Sequence, residues 1–319
     1  MDGKRQALTR LSEIFSEASQ LFKVLADMEE HGAPSDDLLH SESQIRAQSN
    51  EAVSSEASHA ASNEERATGG LTRKLLEEKG LVIQNIAQIP PQAEGLLTLA
   101  GVMGQKYKTI RPLLSHIKKA QSSRRSISLD LSKFSQETIA DITLVANLAN
   151  QAGLLPNYRY LKSPRYKLFA DAPVSPLAIN FFTGEWLELF ALKAVRDFAM
   201  RAGLEIYPLS RVGVVLPNGD QFELDLVFTL GADLAWVEAK TGNDFERLLP
   251  KYRAISELIC SSQRDAILLW SNYDKSNSML SARGVLARMT LCAPDEFPVY
   301  ISGLFTAGVQ QRDDETELA

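Results

Sequence analysis

The stretch QFELDLVFTLGADLAWVEAKTG, Gln221 to Gly242, decides the fold of the C-terminal third of the chain. Apolar and polar residues alternate along both of its halves, which is the pattern of two β-strands. The halves meet at Gly231 and Ala232, and glycine at the first central position suits a two-residue type II′ turn. The stretch therefore predicts a β-hairpin with a defined register.

This register brings charged side chains together. With the two-residue turn, Asp225 lies opposite Glu238 and Glu223 lies opposite Lys240, and all four side chains point to one face. Two carboxylates about 4 Å apart repel by roughly 4 kcal/mol at an effective dielectric constant near 20. They require a proton, a cation or open water between them. A magnesium ion meets this need, because it binds carboxylate oxygens and water and leaves room for a phosphate.

The hydrophobic neighbours favour a buried site, although the solvated face of an edge hairpin stays open as the alternative. The opposite face is wholly apolar and is predicted to be buried: Leu224, Leu226, Phe228, Val237 and Ala239. Val227 and Trp236 are predicted to cover the charged face beyond the acids. Lys240 shares this face and is suited to stabilising negative charge that develops on a phosphate.

Two motifs in this region resemble a known family. Asp225, followed after twelve residues by Glu238-Ala239-Lys240, resembles the D…ExK signature of the PD-(D/E)xK nuclease superfamily. Upstream, FTGEWLE at 182–188 resembles the G-x-W-L-E opening of the nuclease domain in CRISPR-associated nucleases activated by cyclic oligoadenylate. The resemblance extends from Asn180 to Leu304, well under half of the chain.

The resemblance implies a site for Mg²⁺ or Mn²⁺. Asp225 and Glu238 match the metal-binding carboxylates, and the carbonyl oxygen of Ala239 is the expected third ligand. Lys240 matches the lysine that orients or activates the attacking water. The glutamate of W-L-E matches Glu188, a candidate catalytic residue and metal ligand.

Four further residues are candidate accessory groups. Glu185 is a reasonable substitute for the helix glutamate, three positions before it on the same helix. Lys251 and Tyr252 fall where the superfamily often has a polar helix facing the site, although no Q-x-x-x-Y motif is present. Glu223 is a candidate salt-bridge partner of Lys240.

The chain departs from these relatives at its N-terminus. The relatives carry an N-terminal ligand-sensing α/β domain, whereas this sequence has amphipathic helices and a Ser/Ala-rich stretch before Ser126. Activation by a cyclic oligonucleotide is therefore not expected. The N-terminal helices are expected to form a homodimer or to bind a protein partner.

Composition limits the choice of function. The 319 residues carry a net charge of −6, so nucleic acid must be bound by a local patch or through metal. Two cysteines give neither a disulfide framework nor a zinc motif. No signal peptide and no apolar run of membrane-spanning length is found, so a cytoplasmic protein without a membrane partner is expected.

The sequence predicts an α/β (α+β) fold with a mixed central sheet flanked by helices, like a restriction endonuclease. A helical or coiled-coil region with a Ser/Ala/Glu-rich linker occupies 1–122, and a small winged-helix-like module occupies 123–175. The nuclease-like domain covers 176–307, and residues 308–319 form a disordered acidic tail. The domain is predicted to have the element order α-β-β-β-α-β-α-β.

Several predicted elements can be checked individually. Helices are predicted over 71–89 and, with a break or kink at Pro112, over Gly95–Gln121. A buried strand is predicted at Ala266–Trp270, and the last strand at Phe297–Ile301.

Basic residues in and next to the small module are candidate nucleic-acid contacts. Arg124 and Arg125 end a basic cluster that suits either a phosphate or the C-terminal turn of a helix, where cations are favourable. The later residues alternate with aromatic residues that can stack on bases. Ordinary hairpins have the same composition, so both interpretations remain open. The candidates are Arg124, Arg125, Arg159, Lys162, Arg165 and Lys167.

Together these features predict a metal-dependent endonuclease that hydrolyses DNA and/or RNA, acting in anti-phage or CRISPR-type defence. One alternative is a non-catalytic nucleic-acid-binding or assembly protein that keeps the nuclease fold. Another is a subunit of a multi-chain restriction-like or mobile-element system.

Overall fold

A computed structural model describes residues 70–87, 94–204, 206, 208–243 and 245–306. All of them belong to one unit of the chain, Glu64–Ala319. The predicted N-terminal amphipathic helix, the Ser/Ala/Glu-rich linker and the acidic tail lie outside the described residues.

The helices and strands follow one another in this order: α1 (70–78), β1 (Val82–Ile86), α2 (Glu94–Gln105), α3 (Tyr107–Ser123), β2 (Ile127–Asp130), α4 (Gln136–Gln151), β3 (Arg159–Leu161), β4 (Lys167–Ala170), α5 (Pro176–Asn180), α6 (Trp186–Ala202), β5 (Leu209–Val215), β6 (Gln221–Leu230), β7 (Asp233–Lys240), α7 (Leu249–Ile259), β8 (Ala266–Trp270), α8 (Ser278–Ala287), β9 (Thr290–Cys292) and α9 (297–306). A π-helical turn, Phe181–Glu185, leads directly into α6.

The central sheet has six strands in the order β1-β5-β6-β7-β8-β9. Neighbours from β1 to β7 are antiparallel, and β7, β8 and β9 are parallel. From α6 to β9 the elements follow the predicted order α-β-β-β-α-β-α-β. The predicted mixed α/β fold is therefore confirmed.

The β6–β7 hairpin has the predicted register. Leu226 pairs with Val237 and Leu230 pairs with Asp233, which leaves two residues for the turn. Gly231 has a φ of 67°, as the first central residue of a type II′ turn requires. The turn chemistry therefore fixed the pairing, as expected.

Both faces of the sheet are covered, and each covers its own hydrophobic core. Leu226 and Phe228 belong to the core that includes α2–α6. Val227 and Trp236 belong to the other core, which includes residues of α1 and α7. Because helices pack on both faces, β8 is buried along its whole length, as its sequence AILLW predicted.

One detail of the predicted apolar face is wrong. Leu224 packs in the core of Val227 and Trp236, not in the core of Leu226 and Phe228. Strict alternation would put residues two apart on the same face. The alternation is interrupted at the residue between the two leucines, Asp225.

Two elements differ from their predicted type. β1 falls within the predicted helix over 71–89, and its residues form a strand because they pair with the open edge of β5, Val82 opposite Val215. The predicted last strand, Phe297–Ile301, is the start of α9. Phe297 and Ile301 are both buried at the i, i+4 spacing of a helix, whereas Val299 is 76% exposed. β9 supplies the last strand instead.

The helical region before the small module breaks at Lys106 rather than at Pro112. α2 ends at Gln105 and α3 begins at Tyr107, so Pro112 lies inside α3. Lys106 is held at this junction by the carboxylate of Asp141, 2.9 Å from its ammonium nitrogen. A tertiary ion pair therefore accompanies the break that the sequence pattern did not locate.

The small module contains a three-stranded antiparallel sheet in the order β2-β4-β3. Its helix, α4, begins after Ser135, and the Ser135 hydroxyl accepts a hydrogen bond from the backbone N–H of Thr138. Ile127, Leu129 and Leu168 of its inner face are buried in the same core as α2 and α6. The module thus shares its core with the neighbouring helices.

We expect Gly104→Ala to lower the free energy of unfolding by about 1–3 kcal/mol, as overpacked cores do. A Cβ at Gly104 on α2 would overlap the buried ring of Phe190 on α6. Gly95→Ala in the same helix is the matched control, because no atom lies within 4 Å of the added carbon. Urea unfolding measures both; equal stability of the two variants would contradict the packing of α2 on α6.

Candidate active site

Asp225 lies where the pairing of the sheet is interrupted on both sides. The β5–β6 ladder pairs the residues before and after Arg211 and Asp225 but skips these two. The β6–β7 ladder ends at Leu226 and Val237, one step before Asp225. β6 and β7 part at this point, and the carboxylate of Asp225 lies between them, where it accepts a hydrogen bond from the N–H of Ala239 on β7.

One ammonium group pairs with two buried acids between these strands. Nζ of Lys240 lies 2.7 Å from Oε1 of Glu238 and 3.8 Å from Oδ2 of Asp225. Oδ2 of Asp225 also accepts a hydrogen bond of 2.8 Å from the backbone N–H of Ala239. Glu238 and Asp225 are only 3% and 8% exposed. The three charged side chains therefore form one electrostatic unit.

The suggested salt bridge between Glu223 and Lys240 is wrong. Glu223 is exposed and lies opposite Gly213 of β5. Lys240 pairs with Glu238 and Asp225 instead. The reason is the end of the β6–β7 ladder, because beyond it the cross-strand neighbours of a regular hairpin are no longer adjacent.

Because the cluster is buried, negative charge on its carboxylates is energetically costly. Burial, and next the charge of Asp225, raise the pKa of Glu238 to about 8 against the lowering effect of Lys240. Burial also raises the pKa of Asp225, against the lowering effect of Lys240. Oε2 of Glu238 and the neighbouring hydroxyl of Tyr252 are buried without completing a hydrogen bond. An unsatisfied buried carboxylate oxygen is costly unless a proton or a cation meets it.

The helix glutamates approach the same cluster from α6. Glu185 ends the π-helical turn, and Glu188 lies in the first turn of α6. The pKa of Glu188 is raised to about 7, first by burial and then by the charge of Asp225. The hydroxyl of Thr241 donates a 2.6 Å hydrogen bond to the carbonyl oxygen of Thr183, which connects the exit of β7 to the π-helical turn. Glu188, Asp225, Glu238 and Lys240 are thus brought together.

Arg211 is a member of the cluster that the sequence did not indicate. Its Nη2 lies 2.8 Å from Oε1 of Glu185, and its Nε lies 3.7 Å from Oε2 of Glu188. Its backbone φ is 48°, in the left-handed region that residues other than glycine rarely adopt inside a strand. An arginine in an ordinary strand sequence gives no signal of this conformation.

Of the remaining candidates, only Tyr252 lies at the cluster. Lys251 donates to the carbonyl oxygen of Gln221 and lies over the ring of Phe222, at the beginning of β6. Tyr252, one residue later on α7, faces Glu238. The six basic candidates are all exposed, on or next to the small three-stranded sheet rather than among the carboxylates: Arg124, Arg125, Arg159, Lys162, Arg165 and Lys167.

A cavity of about 420 Å³ lies between α3 and the segments that follow β8 and β9. Lys108 and Arg111 contribute from α3, and Ser271 and Asn272 contribute from the end of β8. The backbone N–H of Ser271 donates a 2.9 Å hydrogen bond to the carbonyl oxygen of Lys240. The cavity wall is therefore joined directly to β7, the strand that carries Glu238 and Lys240.

The chemistry of the cluster suits a hard divalent cation, but the ligands are not preassembled. Among the described residues, no three Asp, Glu, His or Cys side chains form a ready metal group. The two buried carboxylates and the unsatisfied Oε2 of Glu238 are the oxygen donors that such a cation prefers. Lys240 is their present counter-charge, so a cation would have to share or displace it. On the condition that Lys240 moves aside or shares the carboxylates, Asp225 and Glu238 fit a divalent cation.

No protein-family model and no curated protein sequence matches the chain. The solved structures that resemble it in fold include the following two. Protein VC1899 from Vibrio cholerae is 19% identical with a TM-score of 0.46, over 74% of this chain and 60% of that one. Can2 from Sulfobacillus thermosulfidooxidans, solved with cyclic tetra-adenylate, is 14% identical with a TM-score of 0.49, over 73% and 61%. The match thus spans about three fifths of the length of each.

Each of the described helices is too short or too polar to span a lipid bilayer.

We expect Lys240→Met to destabilise the metal-free protein by about 1–3 kcal/mol, because it leaves two buried carboxylates without their counter-charge. Adding Glu238→Gln to Lys240→Met should recover part of this loss, because one of the two charges is then removed. Urea unfolding in EDTA measures the cycle. Purely additive effects would mean that the two side chains are not coupled.

Proposed function

We propose that this chain is a metal-dependent nuclease that hydrolyses phosphodiester bonds in DNA and/or RNA. One observation carries the proposal: Asp225, Glu238 and Lys240 meet, largely buried, at a gap in the sheet that Glu188 approaches from α6. Three carboxylates around one ammonium group are costly to bury, and hydrolysis of a phosphodiester gives the group a function.

Asp225, Glu238 and Glu188 are the proposed ligands of Mg²⁺ or Mn²⁺, together with the carbonyl oxygen of Ala239. When bound, the ion would polarise the scissile phosphate and lower the pKa of a bound water. The hydrogen bond from the Ala239 N–H orients the carboxylate of Asp225. The side chain of Glu238 faces Tyr252 on α7.

Lys240 is the proposed electrostatic catalyst. Although burial works against its charge, Glu238 and Asp225 raise its pKa, so the side chain is an ammonium ion at neutral pH. It can donate hydrogen bonds to a phosphoryl oxygen that gains charge in the transition state. Its contacts of 2.7 Å and 3.8 Å with the acids hold it in place before substrate binds.

The cavity beside Lys240 is the proposed place for part of the substrate strand. Its volume of about 420 Å³ lies in the range of small-ligand pockets. Within its wall, Lys108 is paired with Asp295 and Lys275 with Glu296, while Arg111 is an exposed cation on α3. With a net charge of −6, the chain needs such local cations to hold a phosphate backbone.

Cleavage and metal binding test the proposal in the same samples. Plasmid, single-stranded DNA and RNA are incubated with Mn²⁺, and Mn²⁺ binding is measured by calorimetry. Lys240→Met should bind Mn²⁺ at least as tightly as the unmodified protein, because the competing ammonium is gone, and should lose about 100-fold or more in cleavage rate. Glu238→Gln should lose both binding and cleavage. Equal cleavage by Lys240→Met and the unmodified protein would refute the site.

A charge-matched pair tests the role of the cavity. Arg111→Gln should weaken binding of a short oligonucleotide to the Lys240→Met protein in Mn²⁺. It should also reduce the slope of log affinity against log salt concentration by about one, because one phosphate contact is lost. Arg73→Gln is the control, because it removes the same charge from an exposed position on α1, a helix of the other core. Equal affinity of the two variants, by fluorescence anisotropy, would exclude the cavity; the basic candidates of the small module would then be substituted next.

A second candidate function is a non-catalytic nucleic-acid-binding or assembly protein that keeps this fold. It is favoured by Lys240, which already occupies the position of the counter-charge, and by the absence of a preassembled three-ligand group among the described residues. Retained DNA binding without any Mn²⁺ binding would support it. Recovery of one stoichiometric partner in a pull-down would instead favour a subunit of a larger system.

The biological setting follows from the proposed chemistry and from the GEWLE resemblance. We propose a role in anti-phage defence, with homodimerisation or a protein partner engaged through the N-terminal helices. Loss of phage protection on Lys240→Met, at equal protein level, is the corresponding cellular observation.

A further inference from the structure

Arg211 combines two unusual features at one point of β5. Its φ of 48° lies in the left-handed region, whereas the strand on both sides of it is paired with β6. A residue with a Cβ keeps such a conformation only where the surrounding structure enforces it, and these residues concentrate at functional sites. We therefore expect this conformation to be stabilised by a contact that an arginine with an extended backbone would not make.

The contacts of Arg211 supply that reason. Its guanidinium lies 2.8 Å from Oε1 of Glu185 and 3.7 Å from Oε2 of Glu188, on the turn that opens α6. Its carbonyl oxygen accepts a hydrogen bond of 3.3 Å from the N–H of Ala87, just after β1. The strained residue is thus held by its backbone on one side and by two carboxylates on the other.

The opposite residue in the ladder is Asp225. Because the pair Arg211 and Asp225 is the one that the β5–β6 ladder skips, the same irregularity redirects the arginine and frees the aspartate. Both side chains act on Glu188: the charge of Asp225 raises its pKa, and that of Arg211 lowers it. Glu188 is therefore held between an attractive and a repulsive neighbour.

We propose that Arg211 is a positioning residue that holds the carboxylate of Glu188 in place for the divalent cation of the candidate site. This inference rests on the proposed nuclease function. The closer contact, with Glu185, anchors the guanidinium, and the looser one leaves Glu188 an oxygen for another partner. Glu185 is accordingly a support for Arg211 rather than a substitute for Glu188.

The test compares Mn²⁺ affinity without substrate, thermal stability, and the Mn²⁺ dependence of cleavage. Arg211→Gly should keep most of its melting temperature, because glycine adopts a φ of 48° without strain and this relief offsets the loss of two partly exposed ion pairs. Its Kd for Mn²⁺ should rise by about 10- to 100-fold, as when the support of a metal ligand is removed. Excess Mn²⁺ should restore much of its cleavage.

Two further variants keep the test informative if Arg211→Gly fails to fold. Arg211→Lys keeps the charge but not the two-nitrogen contact, so its Kd should lie between those of the unmodified protein and Arg211→Gly. Glu185→Gln removes the anchor of the guanidinium and should raise the Kd in the same direction.

The matched control is Arg288→Gly. Arg288 also has a left-handed φ, 50°, but its guanidinium holds only the carbonyl oxygens of Ser256, Cys260 and Ser261. Its removal should lower the melting temperature and leave the Kd for Mn²⁺ unchanged. A purely structural role of Arg211 would give this same result.

The outcomes separate the two proposals. If the unmodified protein binds Mn²⁺ and cleaves, and the Arg211 and Glu185 variants bind Mn²⁺ equally well, the positioning role is overturned and the nuclease stands. If the unmodified protein binds no Mn²⁺, the nuclease proposal is overturned and this inference with it.

Discussion

The structure depends on one constraint: two carboxylates are buried around a single ammonium group in a gap between strands. Glu238 and Asp225 are almost inaccessible to solvent, and Lys240 is their shared ion-pair partner. Removing one partner from a buried ionic group usually costs more than the group contributes to stability. Such a group is therefore weak evidence for stabilisation and better evidence for a functional role, particularly because one oxygen of Glu238 remains without a hydrogen bond.

The surrounding elements serve to keep this gap open. The left-handed Arg211 interrupts the pairing of β5 with β6, and the ladder between β6 and β7 stops one residue short of Asp225. A π-helical turn brings the glutamates of α6 to the same place, and π-helical turns are frequent at functional sites. The two hydrophobic cores hold the intact parts of the same strands, so the irregularity is confined to the site.

The same arrangement explains how one cluster could serve two states. In the absence of a cation, Lys240 balances the acids, and the pKa of Glu238 is high enough for a proton to assist. A divalent cation would take over that balance and free the ammonium for a phosphate. The proposed nuclease and the non-catalytic alternative differ only in whether this exchange takes place, which is why metal binding separates them.

The sequence by itself determined the local structure of this region. Glu188 is linked to Asp225, Glu238 and Lys240 only by the resemblance of their motifs to a nuclease family. Gly231 and the alternating pattern around it fixed the hairpin and its register, which places Asp225 opposite Glu238, and the apolar run at Ala266–Trp270 gave a buried strand. These are short-range features, set by turn chemistry and periodicity. Only the tertiary structure decided the rest: β1 is a strand because β5 has an open edge, Lys240 pairs with the acids because the ladder ends, and Arg211 reaches α6 because its backbone is left-handed. Each of these depends on residues that are distant in the chain, and contacts between distant residues do not produce a periodic pattern in the sequence.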